Sequence, residues 1–207
     1  MKRKTVLILT AILAVSMLLA GCGGSGSQPE EPAAPEVTKA EGIGIHHAEI
    51  DIADYGTVSV ELDGDEAPLT VQNFMDLANA GFYDGLTFHR IIDGFMIQGG
   101  DPNGNGTGGS GTDITGEFSS NGIENNIAHE KGVISMARSQ DPNSASSQFF
   151  IMVEAAPHLD GEYAAFGHVT SGQEIVDQIA KDAAPLDSNG TIAPEDQPVI
   201  TTIRIID

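Results

Sequence analysis

The chain has 207 residues, of which 9 are Lys or Arg and 30 are Asp or Glu, giving a formal net charge of -21 at pH 7. Such an acidic excess argues against a nucleic-acid partner, and against electrostatic attachment to an anionic membrane surface. One cysteine, Cys22, excludes an intrachain disulfide, so the fold must rest on an apolar core.

Three of the cations, Lys2, Arg3 and Lys4, precede an apolar and small run from Val6 to Ala20. That run is short for a membrane span, which needs about 20 apolar residues, and its layout is that of a secretory signal peptide. It ends in Leu19-Ala20-Gly21-Cys22, which resembles a bacterial lipobox. The resemblance implies cleavage of residues 1–21, lipidation of Cys22 through its sulfur, and an extracytoplasmic protein anchored to the cell membrane. The remaining six cations and thirty acids carry a charge of -24, so the lipid must supply the attachment. After Cys22 comes GGSGSQPEEPAAPEVTKAEG, rich in Gly, Pro, Ser and Glu, and residues 22–43 are expected to form a flexible tether. Residues 44–207 have the length of one domain.

Within that domain apolar residues recur mainly at every second position. Ala48, Ile50 and Ile52 alternate with Glu49 and Asp51, and Val58, Val60 and Leu62 alternate with Ser59 and Glu61, predicting two half-buried strands joined by a turn at Asp54–Gly56. A helix is expected over 68–80, with Pro68 in its first turn, Val71, Phe74, Leu77 and Ala78 on one face and Gly81 as its stop. Strands are expected near 88–92, 95–98, 132–137, 148–153, 164–169 and 199–206, and a second helix over 173–181. Many short strands with two separated helices predict a barrel or sandwich rather than alternating βαβ units.

Three chemistries find little support. Gly104-Asn105-Gly106-Thr107-Gly108-Gly109 fits G-x-G-x-x-G, but the Gly-, Ser- and Thr-rich segment after it cannot begin the helix that would receive a pyrophosphate, so it reads as a surface loop. The six histidines show no metal-binding spacing, and adjacent His46 and His47 point to opposite faces of a strand, so no metal site is assigned. The domain holds no cysteine nucleophile and no G-x-S-x-G elbow.

The stretch Phe88-His89-Arg90-Ile91-Ile92-Asp93-Gly94-Phe95-Met96-Ile97-Gln98-Gly99-Gly100-Asp101 places an arginine among apolar residues. Strict alternation puts Phe88, Arg90 and Ile92 on one face, Met96 and Gln98 together, and Gln148, Phe150 and Met152 together on a later strand, with Gly94 allowing the bend. A guanidinium, two amides, aromatic rings and methionines can line a concave, mostly apolar binding site. Geometry alone equally allows Arg90 to pair with Asp93 or Asp101.

Four motifs in order, FHRIIDGFMIQGGD, then GVISMA from Gly132, SSQFFI from Ser146 and LDGEYAAFG from Leu159, resemble the cyclophilin family of peptidyl-prolyl isomerases. The resemblance covers the domain from about His46 onward. It implies an all-β, closed eight-stranded antiparallel barrel capped by two α-helices, proline-containing polypeptides as partners, no cofactor, and a monomer. It implies catalytic roles for Arg90, Gln98 and Phe95. Met96, Ala137, Gln148, Phe150, His158, Leu159 and Tyr163 are implied to bind substrate. His158 stands where many members carry tryptophan and Tyr163 where many carry histidine, so weaker cyclosporin binding is expected. The loop of residues 138–145 is slightly longer than usual, and no role is transferred to Arg138. A proline-binding chaperone or adhesion module with incidental catalysis is the alternative from another class.

Overall fold

In the computed structural model residues 39–207 are described; the expected signal peptide, Cys22 and most of the tether lie outside them. The chain meets the domain ahead of residue 44, since Lys39 Nζ lies 3.2 Å from a Glu66 carboxylate oxygen and Ile43 N–H donates to the Gly64 carbonyl.

Alternation builds the first hairpin. Strand β1 (Ile45–Ile52) buries Ala48, Ile50 and Ile52, and β2 (Gly56–Asp63) buries Val58, Val60 and Leu62 against them. Ile52 pairs with Gly56, and Asp54 in the turn has a φ of 65°.

Helix α1 (Pro68–Asn79) buries Val71, Phe74 and Ala78. No side chain at its own N-cap, Ala67, satisfies the first turn. The fully buried Glu117 does so from a distant loop, accepting from Leu69 N–H (3.1 Å), Thr70 N–H (2.8 Å) and the Thr70 hydroxyl (2.7 Å). A carboxylate there meets orphan donors and the positive end of the helix dipole. The helix stops through paired bonds from Gly81 N–H to Ala78 and from Phe82 N–H to Leu77, a Schellman ending that requires the left-handed Gly81.

Six further strands follow: β3 (Thr87–Ile92), β4 (Met96–Asp101), β5 (Val133–Met136), β6 (Phe149–Met152), β7 (Ala165–Ser171) and β8 (Ile200–Ile205), with α2 (Gln173–Asp182) between the last two. Their antiparallel order is β3-β4-β6-β5-β7-β2-β1-β8. The edges meet, because Thr87 bridges to Val199 and Phe88 N–H donates to the Pro198 carbonyl, so the sheet curls into the expected barrel. Its interior holds the side chains of Phe88, Ile91, Ile97, Phe149, Ile151 and Phe166, into which α1 sends Phe74, 5.3–5.5 Å from the Phe149 and Phe166 ring centres. Helix α2 adds Val176, Ile179 and Ala180.

Strand β3 departs from strict alternation. Phe88 pairs with Gly99 but Arg90 pairs with Gln98, so His89 is an extra residue in a β-bulge. The bulge turns Phe88 and Ile91 into the barrel while Ile92 packs on a second apolar cluster around Met96 and Phe150. Phe88 therefore does not share a face with Arg90, contrary to the period-two expectation.

Candidate active site

The second cluster, with Met96, Val133, Phe150, Met152 and Leu159, lies apart from the barrel interior and forms an apolar floor. Register places polar groups beside it. Arg90 on β3 faces Gln98 on β4, which in turn faces Phe150 on β6, so the three form one row across neighbouring strands. Gly94, at φ 73°, makes the β3–β4 turn that carries Phe95.

Arg90 is fixed on two sides. Its Nε donates to the Asn189 carbonyl (2.7 Å), and its Nη1 donates to Gln98 Oε1 (3.2 Å) and lies 3.6 Å from Met96 Sδ. The polar chain continues as Gln98 Nε2 donates to Gln148 Oε1 (2.9 Å) and Gln148 Nε2 donates to the Gly108 carbonyl (2.8 Å). Asp93 and Asp101 play no part: the Asp101 carboxylate accepts N–H groups from Asn103, Asn105 and Gly106. Partial burial draws the Arg90 guanidinium below its ordinary range, opposed by Tyr163 and Asp187, but arginine remains cationic.

The row opens on a cleft of about 530 Å³ whose walls include Arg90, Phe95, Phe150, His158, Leu159 and Tyr163. His158 stacks on Phe95 with ring centres 5.9 Å apart, and Tyr163 meets Phe150 edge-on at 5.9 Å. Beneath, buried His129 stacks on Phe150 at 6.0 Å; its Nδ1 lies 3.0 Å from Asp160 Oδ1 and its Nε2 3.0 Å from Ser135 Oγ. Burial lowers the His129 pKa, Asp160 partly offsetting it, so the ring bracing the floor is held towards its neutral form. A second hollow of about 390 Å³ shares Gln98, Ala137 and Arg138 with the first and is completed by Gly106–Gly109 and Gln148. All ten residues named from the sequence line these two hollows. What the arrangement offers is a fixed cation and two oriented amides beside an apolar slot.

Residues 47–205 match the family described as cyclophilin type peptidyl-prolyl cis-trans isomerase/CLD. The chain belongs to the cyclophilin family. It is 45% identical over 130 residues to peptidyl-prolyl cis-trans isomerase-like 2 of Cryptococcus neoformans, covering 61% of this chain but only 22% of that longer protein. To peptidyl-prolyl cis-trans isomerase B of Bacillus subtilis it is 45% identical over 144 residues, covering 70% of this chain and 92% of that one. The crystal structure of a cyclophilin type isomerase from Cryptosporidium parvum superposes with a TM-score of 0.69 at 32% identity, covering 79% of this chain and 98% of that one. The same Cryptosporidium protein has also been crystallised in the presence of the dipeptide Ala-Pro.

This cyclophilin's site also uses groups that the sequence reading passed over. The glycine-rich segment is more than a surface loop, since its Gly108 carbonyl ends the polar chain and its backbone walls the second hollow. A Cβ on Gly108 would stand 2.2 Å from Asp101 Oδ1, so a side chain there would have to displace that buried carboxylate. The G-x-G-x-x-G spacing drew attention to these residues for the wrong chemistry. Asn189 contributes only a carbonyl, and a carbonyl leaves no mark in a sequence.

Proposed function

We propose that this cyclophilin accelerates cis-trans isomerisation of X-Pro bonds in exported or surface polypeptides and so assists their folding. The observation that carries the reading is the Arg90–Gln98–Gln148 chain set beside the slot of Phe95, Met96, Phe150 and Leu159. The barrier to peptide-bond rotation is about 18–20 kcal/mol because resonance is lost, whereas the two prolyl isomers differ by about 0.5–1 kcal/mol. The task is therefore to stabilise a twisted amide, with no bond broken.

A pyrrolidine ring seats in the apolar slot and leaves its nitrogen near the guanidinium. As the amide twists, that nitrogen loses resonance and regains a lone pair, which Arg90 meets with a donor that never becomes an acceptor. Gln98 orients the guanidinium, and Gln148, Ala137 and Tyr163 hold the flanking peptide. Donors fixed before the reaction act where the transition state differs most from the ground state. The chain functions outside the cytoplasm, tethered through lipid on Cys22. With His158 in place of an indole it binds cyclosporin weakly, and His158→Trp tightens that binding.

A protease-coupled assay on a proline-containing peptide tests the activity, and radiolabelled fatty-acid incorporation into the full chain against Cys22→Ser tests the anchor. Label retained by Cys22→Ser, or a wild-type chain that leaves the peptide's uncatalysed rate unchanged, overturns the corresponding part.

A further inference from the structure

Arg138 stands between the two hollows and lines both, yet its chemistry is turned towards the protein. Its Nε donates to the Glu162 carbonyl (2.9 Å), its Nη1 to the Ser139 carbonyl (2.9 Å), and its Nη2 reaches Glu162 Oε2 at 3.4 Å. Its Cζ lies 5.0 Å from the ring centre of Phe118 and 4.7 Å from that of Tyr163. Phe118 is only 1% exposed and belongs to the barrel core, whereas Tyr163 is half-buried at the rim of the cleft. The series Phe118, Arg138, Tyr163, Phe150 thus runs from the core to the floor of the slot, with Arg138 just past β5, Tyr163 just ahead of its partner β7, and Phe118 on a separate loop.

We propose that Arg138 is a positioning residue for the prolyl slot: held against Phe118 and pinned to the Glu162 backbone, it keeps the Tyr163 ring in place against Phe150, so that the slot is formed before substrate arrives. The proposal rests on the isomerase reading of the site. Arg138 touches no reacting atom, and its contribution is the conformational freedom that Tyr163 would otherwise lose on binding. The planar fork is what matters, because lysine keeps the charge but can neither stack flat on a ring nor present donors from separate nitrogens in one rigid plane.

The prediction is a split in the kinetics. Arg138→Met, which keeps an apolar stem, and Arg138→Lys, which keeps the charge, both raise KM for a proline tetrapeptide about tenfold, the scale of a lost cation–π contact with its tethers, while kcat stays within about threefold. Peptide affinity by calorimetry falls by the same factor. In full-length protein carrying ring-labelled tyrosine, one of the three tyrosine signals broadens or moves in the variants and sharpens when peptide is added. In a Tyr163→Ala background, Arg138→Met causes no further loss.

An unchanged KM in both variants, full recovery by Arg138→Lys, or additive losses in the double variant overturns the proposal. The calorimetric arm needs no turnover. A wild-type chain that binds the peptide without isomerising it therefore sinks the isomerase reading while leaving the positioning claim to be judged on affinity.

Discussion

His89 is the residue the bulge leaves in an unusual place. It is 4% exposed, and neither ring nitrogen finds a partner among the described residues. Burial depresses its pKa, Asp101 opposing and Arg90 reinforcing the shift, and burial depresses that of His129 likewise. Both rings are held towards their neutral form in the fold, whereas in the unfolded chain they take up protons below about pH 6.5. The unfolded state then binds more protons, so stability falls as pH drops below about 6.5, until the depressed folded-state values are reached. Urea midpoints at pH 7.5 and 5.5 should show the loss, and His89→Leu should reduce it; an identical pH dependence in the variant contradicts this. The motif exposed Arg90 because its neighbours are distinctive. It did not expose the bulge, since pattern-reading assumes a period of two, and an inserted residue is known only from the partner strand.

At the scale of elements, the long connections do the positioning. The turn of residues 187–191 carries the Asn189 carbonyl to Arg90 and is tied by Asp187, which accepts from Asn189 N–H, Thr191 N–H and the Thr191 hydroxyl. Asp187→Ala loosens this turn, and kcat/KM should fall about three- to tenfold through misplacement of the guanidinium. The same change in an Arg90→Ala background should have no effect, and additivity there would show that the turn acts elsewhere. Helix α1 depends on Glu117 in a similar way. Glu117→Ala leaves buried donors unmet and should destabilise the protein by about 2–4 kcal/mol in urea unfolding, against about 1 kcal/mol or less for exposed Glu124→Ala. The helix was legible from Pro68, its apolar face and Gly81. Its cap was not, because Glu117 lies 48 residues from Leu69 and reads in sequence as one more loop acid.

For the whole molecule, the barrel separates two tasks. One apolar set fills the interior and gives the fold its rigidity; a second, on the other face of β4 and β6, floors the cleft. Alternation along β6 made that division legible, with Phe149 and Ile151 inward and Phe150 and Met152 in the second set. In a strongly acidic chain, the two arginines that line the site, Arg90 and Arg138, are both held by carbonyls. Removing Arg90 should therefore cost turnover and little stability, because it pairs with no buried carboxylate that its loss would strand.

The most direct test compares wild type with Arg90→Ala in a protease-coupled isomerisation assay, with thermal unfolding of both recorded alongside. The expected result is a fall in kcat/KM of about 10²–10³, the range for loss of a preorganised donor, with unfolding midpoints within a few degrees of each other. An Arg90→Ala protein that isomerises the peptide at the wild-type rate would contradict the account.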